Sequence, residues 1–266
     1  MQVEVTDGPC NAAVAARTEV LGVRVDDVPH EEIIDRAISS ITTGQRLLVV
    51  NANAHLVMLA RGRPWLRRLF HHADIAFCDG AGVQFAFWLL TGCKPNRHTP
   101  PQWIDALAHR VAGLGGTVFW LGGVQATADE AAARLAARTG IRTVGVHHGF
   151  FDHAPGSIEN EAVLSAINAV RPDLLLVNMG MPRQEAWLAE NWHRLDVRVA
   201  MTAGALVDHV AGHVRRPPAW VADAGLEWSV RLALEPGRLW RRYLLGLPGF
   251  AALVALEKMR RSARSA

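Results

Sequence analysis

Short apolar runs recur along the chain, most of them closed by glycine, asparagine or aspartate and followed by residues at helical spacing. Thr18 to Val25 alternates as a strand does, and Ile33, Ile34 and Ala37 set one face of a helix over Glu31 to Ser40. Leu47 to Val50, Ile75 to Cys78, Thr117 to Leu121, Arg142 to Val146, Leu174 to Val177 and Val197 to Met201 read as further strands. Helical spacing fills the intervals: Ala54 to Arg61, a short helix from Pro64, Val83 to Leu90, Pro100 to Ala112, about Thr127 to Thr139, and Ser157 to Val170. Brief apolar runs without alternation suit strands covered on both faces. Strands and helices in turn at this spacing predict an α/β fold, a Rossmann-like and mostly parallel sheet with helices on both faces.

In such a sheet the residues just past each strand share one edge, where open α/β folds bind ligands. Four of these exits are loaded with polar or flexible residues. Leu174 to Val177 ends in Asn178-Met179-Gly180, with Arg183, Gln184 and Glu185 directly behind. Leu47 to Val50 ends in Asn51-Ala52-Asn53, and Ile75 to Cys78 in Asp79-Gly80-Ala81-Gly82. A carboxylate at a strand end, followed by glycines that leave room for close approach, can reach a ligand; its plainer use is to cap the next helix. Gly122-Gly123 resembles half a phosphate loop, without a complete GxGxxG fingerprint. No Walker lysine and no GxSxG elbow occur. The histidine clusters (His147, His148, Asp152 and His153; Asp208, His209 and His213) match no metal motif, so loop histidines and no bound metal are expected.

Composition sets the frame. The 266 residues are 50% hydrophobic and 20% charged, enough to bury a substantial core. Cys10, Cys78 and Cys93 have no CxxC spacing and read as reduced thiols. No signal peptide and no membrane-length apolar run are recognised.

The net charge of +3 conceals an asymmetry. Residues 215–266 carry ten Lys/Arg against four Asp/Glu, a balance of +6, which leaves −3 for the remainder. The predicted organisation is a loose tail over 1–17, a Rossmann-like domain over 18–214 and a basic, partly helical appendage over 215–266. Trp220, Leu226, Trp228 and Trp240 interleave with arginines there, which favours a membrane interface over nucleic acid. A homo-oligomer that frees this tail at the membrane is a further expectation.

Taken together, the motifs resemble the WecG/TagA/CpsF glycosyltransferase family. The matching pieces are Asn51-Ala52-Asn53, Ala73 to Ile75 with Cys78 to Gly82, Trp120 to Gly123, Gly145 to Phe150, Pro172 to Val177, Gly180 to Glu185, Ala203-Gly204, Arg216 to Trp220 and Gly225 to Arg238. They follow the family's order over roughly residues 18–242. The resemblance implies an inverting sugar transfer from a nucleotide diphosphate, usually UDP, with no metal or other cofactor. It also implies an acceptor sugar on a polyprenyl diphosphate, at the inner face of the cell membrane. The best-known members move N-acetylmannosamine, and others use different hexoses.

Carried over by position, Asp79 resembles the general base and Gln184 a sugar or acceptor contact. Arg215, Arg216, Arg231 and Arg238 resemble the cations that neutralise the leaving diphosphate. Asn51, Asn53, Gly80, Gly122, Gly123, Gly180, Arg183 and Glu185 complete the expected binding set. Two departures bear on the donor sugar: Asn51 stands where many members have threonine, and Pro100-Pro101 stand where glycine and aspartate usually follow Arg97. The rival readings are a nucleotide-dependent oxidoreductase, which wants a complete glycine fingerprint, and a non-catalytic nucleotide-binding membrane adaptor.

Overall fold

The computed structural model describes residues 17–214, 227–234, 237, 240, 244 and 246–265. Eight strands form one sheet: β1 (Arg17–Val20), β2 (Val23–Asp26), β3 (Leu47–Ala52), β4 (Ile75–Cys78), β5 (Thr117–Gly122), β6 (Arg142–His147), β7 (Leu174–Asn178) and β8 (Val199–Thr202). Their spatial order is β1-β2-β4-β3-β8-β7-β5-β6, and every neighbouring pair is parallel except β1 with β2. Thr18 to Val25 is therefore a hairpin and not the single strand expected. The chain reverses at Leu21-Gly22, both at positive φ (50° and 78°), a two-residue turn whose twist matches the strands it joins.

The helices are α1 (His30–Thr43), α2 (Ala54–Ala60), α3 (Pro64–His72), α4 (Ala81–Thr91), α5 (Pro100–Gly113), α6 (Gln125–Thr139), α7 (Ile158–Val170), α8 (Arg183–Asn191), α9 (Leu206–Val210), α10 (Glu227–Leu234) and α11 (Gly246–Ser265). Alternate residues of each central strand feed two cores. Leu48 and Val50 join Leu56 of α2, Phe87 of α4, Val163 of α7 and Trp187 of α8 on one face. Leu47 and Val49 join Ile33 of α1, Trp103 of α5, Leu135 of α6 and Val207 of α9 on the other. Neighbouring strands thus send their chains to opposite faces. β3 leads into α2 and β8 into α9, while β7 leads into α8 and β5 into α6. Crevices open at such divergence points.

Of the expected basic appendage, residues 215–226 and Arg238 lie outside the described residues, as does the tail over 1–16. Helix α11 docks on the body: Phe250 and Val254 are buried in the first core, and Leu247 and Phe250 lie against Gly82 of α4. Glu257 accepts from the Leu21 amide at 2.9 Å, which ties the helix to the β1–β2 turn. Cys78 is a buried free thiol, whose ionisation burial pushes far up. Cys93 is disulfide-bonded, against the expectation of reduced thiols throughout. No helix among the described residues is long and apolar enough to cross a membrane.

Candidate active site

The parallel register brings the exits of β4, β3, β8 and β7 side by side. Asn51 pairs with Phe77 and Ala52 with Cys78, so Asp79 stands one residue beyond the end of β4. Its amide still donates to the Ala52 carbonyl at 2.8 Å, which fixes the backbone where the side chain leaves the sheet. The plainer use of Asp79 as a helix cap is not what occurs. Gly80 is the N-cap of α4 at φ 99°, with no side-chain cap bond.

The Asp79 carboxylate instead accepts from Asn51 Nδ2 at 2.6 Å. Thr202 Oγ1, at the end of β8, accepts from the Asn51 backbone amide at 3.0 Å and donates to Asn51 Oδ1 at 2.7 Å. These bonds set the Asn51 amide in one orientation. The threonine's single hydroxyl proton is aimed at Oδ1, so Nδ2 must face the carboxylate. Asn51 and Thr202 are buried, whereas Asp79 and Gly80 are half-buried at the open edge. Asn51 is thus the direct holder of Asp79, and Thr202 of a different strand supplies a hydroxyl behind it.

A second chain of bonds closes the site from the β7 side. Gln184 Oε1 accepts from the Gly204 amide at 3.0 Å, and Gln184 Nε2 donates to Glu185 Oε1 at 2.7 Å. Both side chains are fully enclosed, so the structure turns Gln184 and Glu185 into the body and not onto the open edge. Glu185 Oε2 has no hydrogen-bond partner among the described residues, and burial pushes the carboxyl up to about 7. Arg183, beside them, is exposed. Gly180, at φ 72°, has open space where a Cβ would stand, and the bond from Met181 to Pro182 is cis.

The glycine pair after β5 is explained by packing. A Cβ on Gly122 would lie 2.3 Å from the carbonyl carbon of Asn178, and one on Gly123 would lie 3.1 Å from Val207. Asn178 in turn accepts from the Val207 amide at 3.3 Å. Asn53, expected to bind ligand, caps α2 by accepting from the Leu56 amide at 3.1 Å, and its Nδ2 faces Met181 Sδ at 2.9 Å. Sequence reasoning passed over Thr202 and Gly204 as functional positions. The available signal was a hydroxyl followed by a glycine at the end of an apolar strand.

The segment after Arg97 lies against the end of β4. The His98 amide donates to the Cys78 carbonyl at 3.3 Å and its ring bonds the Val28 carbonyl through Nε2 at 2.8 Å. The ring stacks on Phe77, and burial pushes its ionisation down to about 4, so it is neutral. Among the described residues no group of three or more His, Cys, Asp or Glu converges as a metal site. Arg215, Arg216 and Arg238 lie outside the described residues. Arg231 falls in α10, and its side chain lies outside them too.

Half-buried at the open edge where central parallel strands end, and oriented by Asn51, the Asp79 carboxylate is a group that can take a proton from a hydroxyl. The sequence model of the glycosyl transferase WecG/TagA/CpsF family matches residues 18–264 of this chain. The chain is similar to the N-acetylglucosaminyldiphosphoundecaprenol N-acetyl-beta-D-mannosaminyltransferase of Staphylococcus aureus strain MRSA252. The identity is 26% over 247 residues, 91% of this chain and 94% of the relative. The enzyme of the same name from strain NCTC 8325 / PS 47 matches with the same identity and the same coverage.

Proposed function

The chain belongs to the WecG/TagA/CpsF family and is a glycosyltransferase, and on that premise we propose that it moves a hexose from a UDP-sugar to a polyprenyl-diphosphate-linked sugar. N-acetylmannosamine is the first donor sugar to test, with N-acetylglucosaminyl-diphosphoundecaprenol as acceptor, since the relatives' names specify both the sugar and the acceptor. The observation that carries the reading is Asp79, held by Asn51 at 2.6 Å on the open edge of the sheet.

The reaction is a single displacement. Asp79 takes the proton of the acceptor hydroxyl as its oxygen attacks the anomeric carbon. The bond from that carbon to the diphosphate oxygen breaks, and UDP leaves with the electron pair. Attack from the face opposite the leaving group inverts the configuration. Asn51 keeps the carboxylate from turning away, and Thr202 keeps Asn51 in register. Charge developing on the diphosphate requires cations. Arg183 at the β7 exit and the arginines of the basic appendage are the candidates.

A lipid-linked acceptor requires contact with the membrane, and we place the protein peripherally at its inner face. Helix α4, which starts beside Asp79, has no charged residue and exposes Phe85 and Trp88. Helix α11 beside it exposes Leu256 and Met259 with Arg260 and Arg264. Aromatic and aliphatic side chains flanked by arginine suit the headgroup boundary.

The test is UDP release from a panel of UDP-sugars with a short-chain polyprenyl-diphosphate-N-acetylglucosamine acceptor, with and without EDTA. We expect acceptor-dependent release that survives EDTA and falls about 10²- to 10⁴-fold in Asp79→Asn. Folded, vesicle-bound protein that is silent across the panel would overturn the proposal in favour of a non-catalytic adaptor.

A further inference from the structure

Glu185 is the one acidic side chain at the strand exits with no exposed surface, and the displacement chemistry above makes no use of it. It sits in the first turn of α8, fully buried. That helix is tied to Asn160 of α7 by two bonds: Trp187 Nε1 donates to Asn160 Oδ1 at 2.8 Å, and Asn160 Nδ2 donates to Asn191 Oδ1 at 3.3 Å. The carboxyl itself is enclosed, with no exposed surface and one oxygen bonded to Gln184. Its Oε1 takes the Gln184 amide, whose own oxygen takes the Gly204 amide, two residues past Thr202. Thr202 holds Asn51, and Asn51 holds Asp79.

We infer that Glu185 is a positioning residue, which fixes the orientation of the Gln184 side chain and through it the β8 exit that supports the Asn51–Asp79 pair. The inference rests on the proposed transfer reaction for its activity readout. The physical reason is that a glutamine amide has two near-isosteric orientations. Gly204 can only donate, so it requires the oxygen; Glu185 Oε1 accepts, so it requires the nitrogen. With Glu185 present, both demands select the same orientation. With an apolar residue there, Nε2 loses its partner in a dry site, and the side chain gains by turning away or flipping. Gly204 is at φ 58° and has open space where a Cβ would stand, so no side-chain packing of its own holds it in place.

The test compares Glu185→Leu with Glu185→Gln in the full-length protein. Leucine fills the same apolar volume without an acceptor, whereas glutamine keeps an acceptor oxygen for Gln184. The expected result for Glu185→Leu is a kcat lower by about 10- to 100-fold with KM nearly unchanged, as small displacements of a reacting group produce. Glu185→Gln should restore turnover. Amide exchange of Gly204, read by NMR, should quicken roughly fivefold in the leucine variant, the weight of one hydrogen bond, and not in the glutamine variant.

Wild-type turnover with an unaltered kcat in Glu185→Leu, or a loss confined to KM, would overturn the inference and leave the transfer reading standing. So would equal loss in both variants. If the wild type turns over none of the panel, the transfer reading fails, and Gly204 exchange still decides. Unchanged exchange in Glu185→Leu overturns the positioning role, and faster exchange confined to that variant upholds it.

Discussion

Replacing Glu185 with glutamine removes an ionisable group from a site without exposed surface and retains the bond from Gln184. In the fold, burial raises the carboxyl from an ordinary 4.5 to about 7. Between those values the folded protein holds a proton that the unfolded chain has released. The stabilising contribution is therefore complete below the unfolded value and is lost as the pH rises through about 7. A tenfold change in proton affinity is worth about 1.4 kcal/mol, so the full loss is about 3 kcal/mol. The variant does not titrate there. Its unfolding free energy relative to the wild type should accordingly rise by about 3 kcal/mol from about pH 4.5 to about pH 8. Urea unfolding of both proteins across that range measures the difference, in which every other titrating group cancels. In thermal unfolding the same change is a relative rise of roughly 6–12 °C in Tm for a chain near this size. A difference that stays flat with pH, or that moves in the wild type's favour, would refute the reading of Glu185 as a dry carboxyl.

Three further outcomes follow from the same geometry. Thr202→Val removes the hydroxyl that holds Asn51, and should cost about 1–3 kcal/mol in urea unfolding together with a lower kcat, because a buried amide loses its partner. Gly122→Ala and Gly180→Ala both place a Cβ at positive φ, but only the first drives it into the Asn178 backbone. Gly180→Ala should cost about 1–2 kcal/mol, and Gly122→Ala should add overpacking of about 1–3 kcal/mol to that strain; equal unfolding midpoints would contradict the packing account. Phe85→Ser with Trp88→Ser alters exposed positions only, so it should lower cosedimentation with anionic phospholipid vesicles and leave the urea midpoint in place. Unchanged cosedimentation would remove α4 from the membrane-facing surface.

Whatever depends on neighbours along the chain was legible in the residue pattern. Runs such as Leu174 to Val177 and Ile75 to Cys78 declare buried strands, because side chains alternate across a sheet and both faces here are covered. The intervening spacings declare helices, and regular alternation of the two implies a parallel sheet whose exits share an edge. The place of Asp79 at a strand exit was legible on these grounds. It stands where a strand must end and is followed by glycine. The first strand misled because Leu21 is a residue seldom found at positive φ, so its turn carried no signal. Gly122-Gly123 read as half a phosphate loop for a related reason: a glycine signals that a Cβ is not tolerated, and only the fold says what excludes it, here the Asn178 backbone.

The order of the strands, and with it the long-range polar contacts of the site, came from tertiary packing. Asn51 and Thr202 are 151 residues apart, and they meet only because β3 and β8 are neighbours at the centre of the sheet. Gln184 and Glu185 looked like ligand contacts because polar residues at a strand exit usually face outward. In the fold both are fully buried in the first turn of α8 and bond inward, to Gly204 and to each other. Periodicity encodes which face of an element is buried, but not which element will lie beside it. Strand order is settled by the packing of both cores at once, and the contact between Asn51 and Asp79 depends on that order.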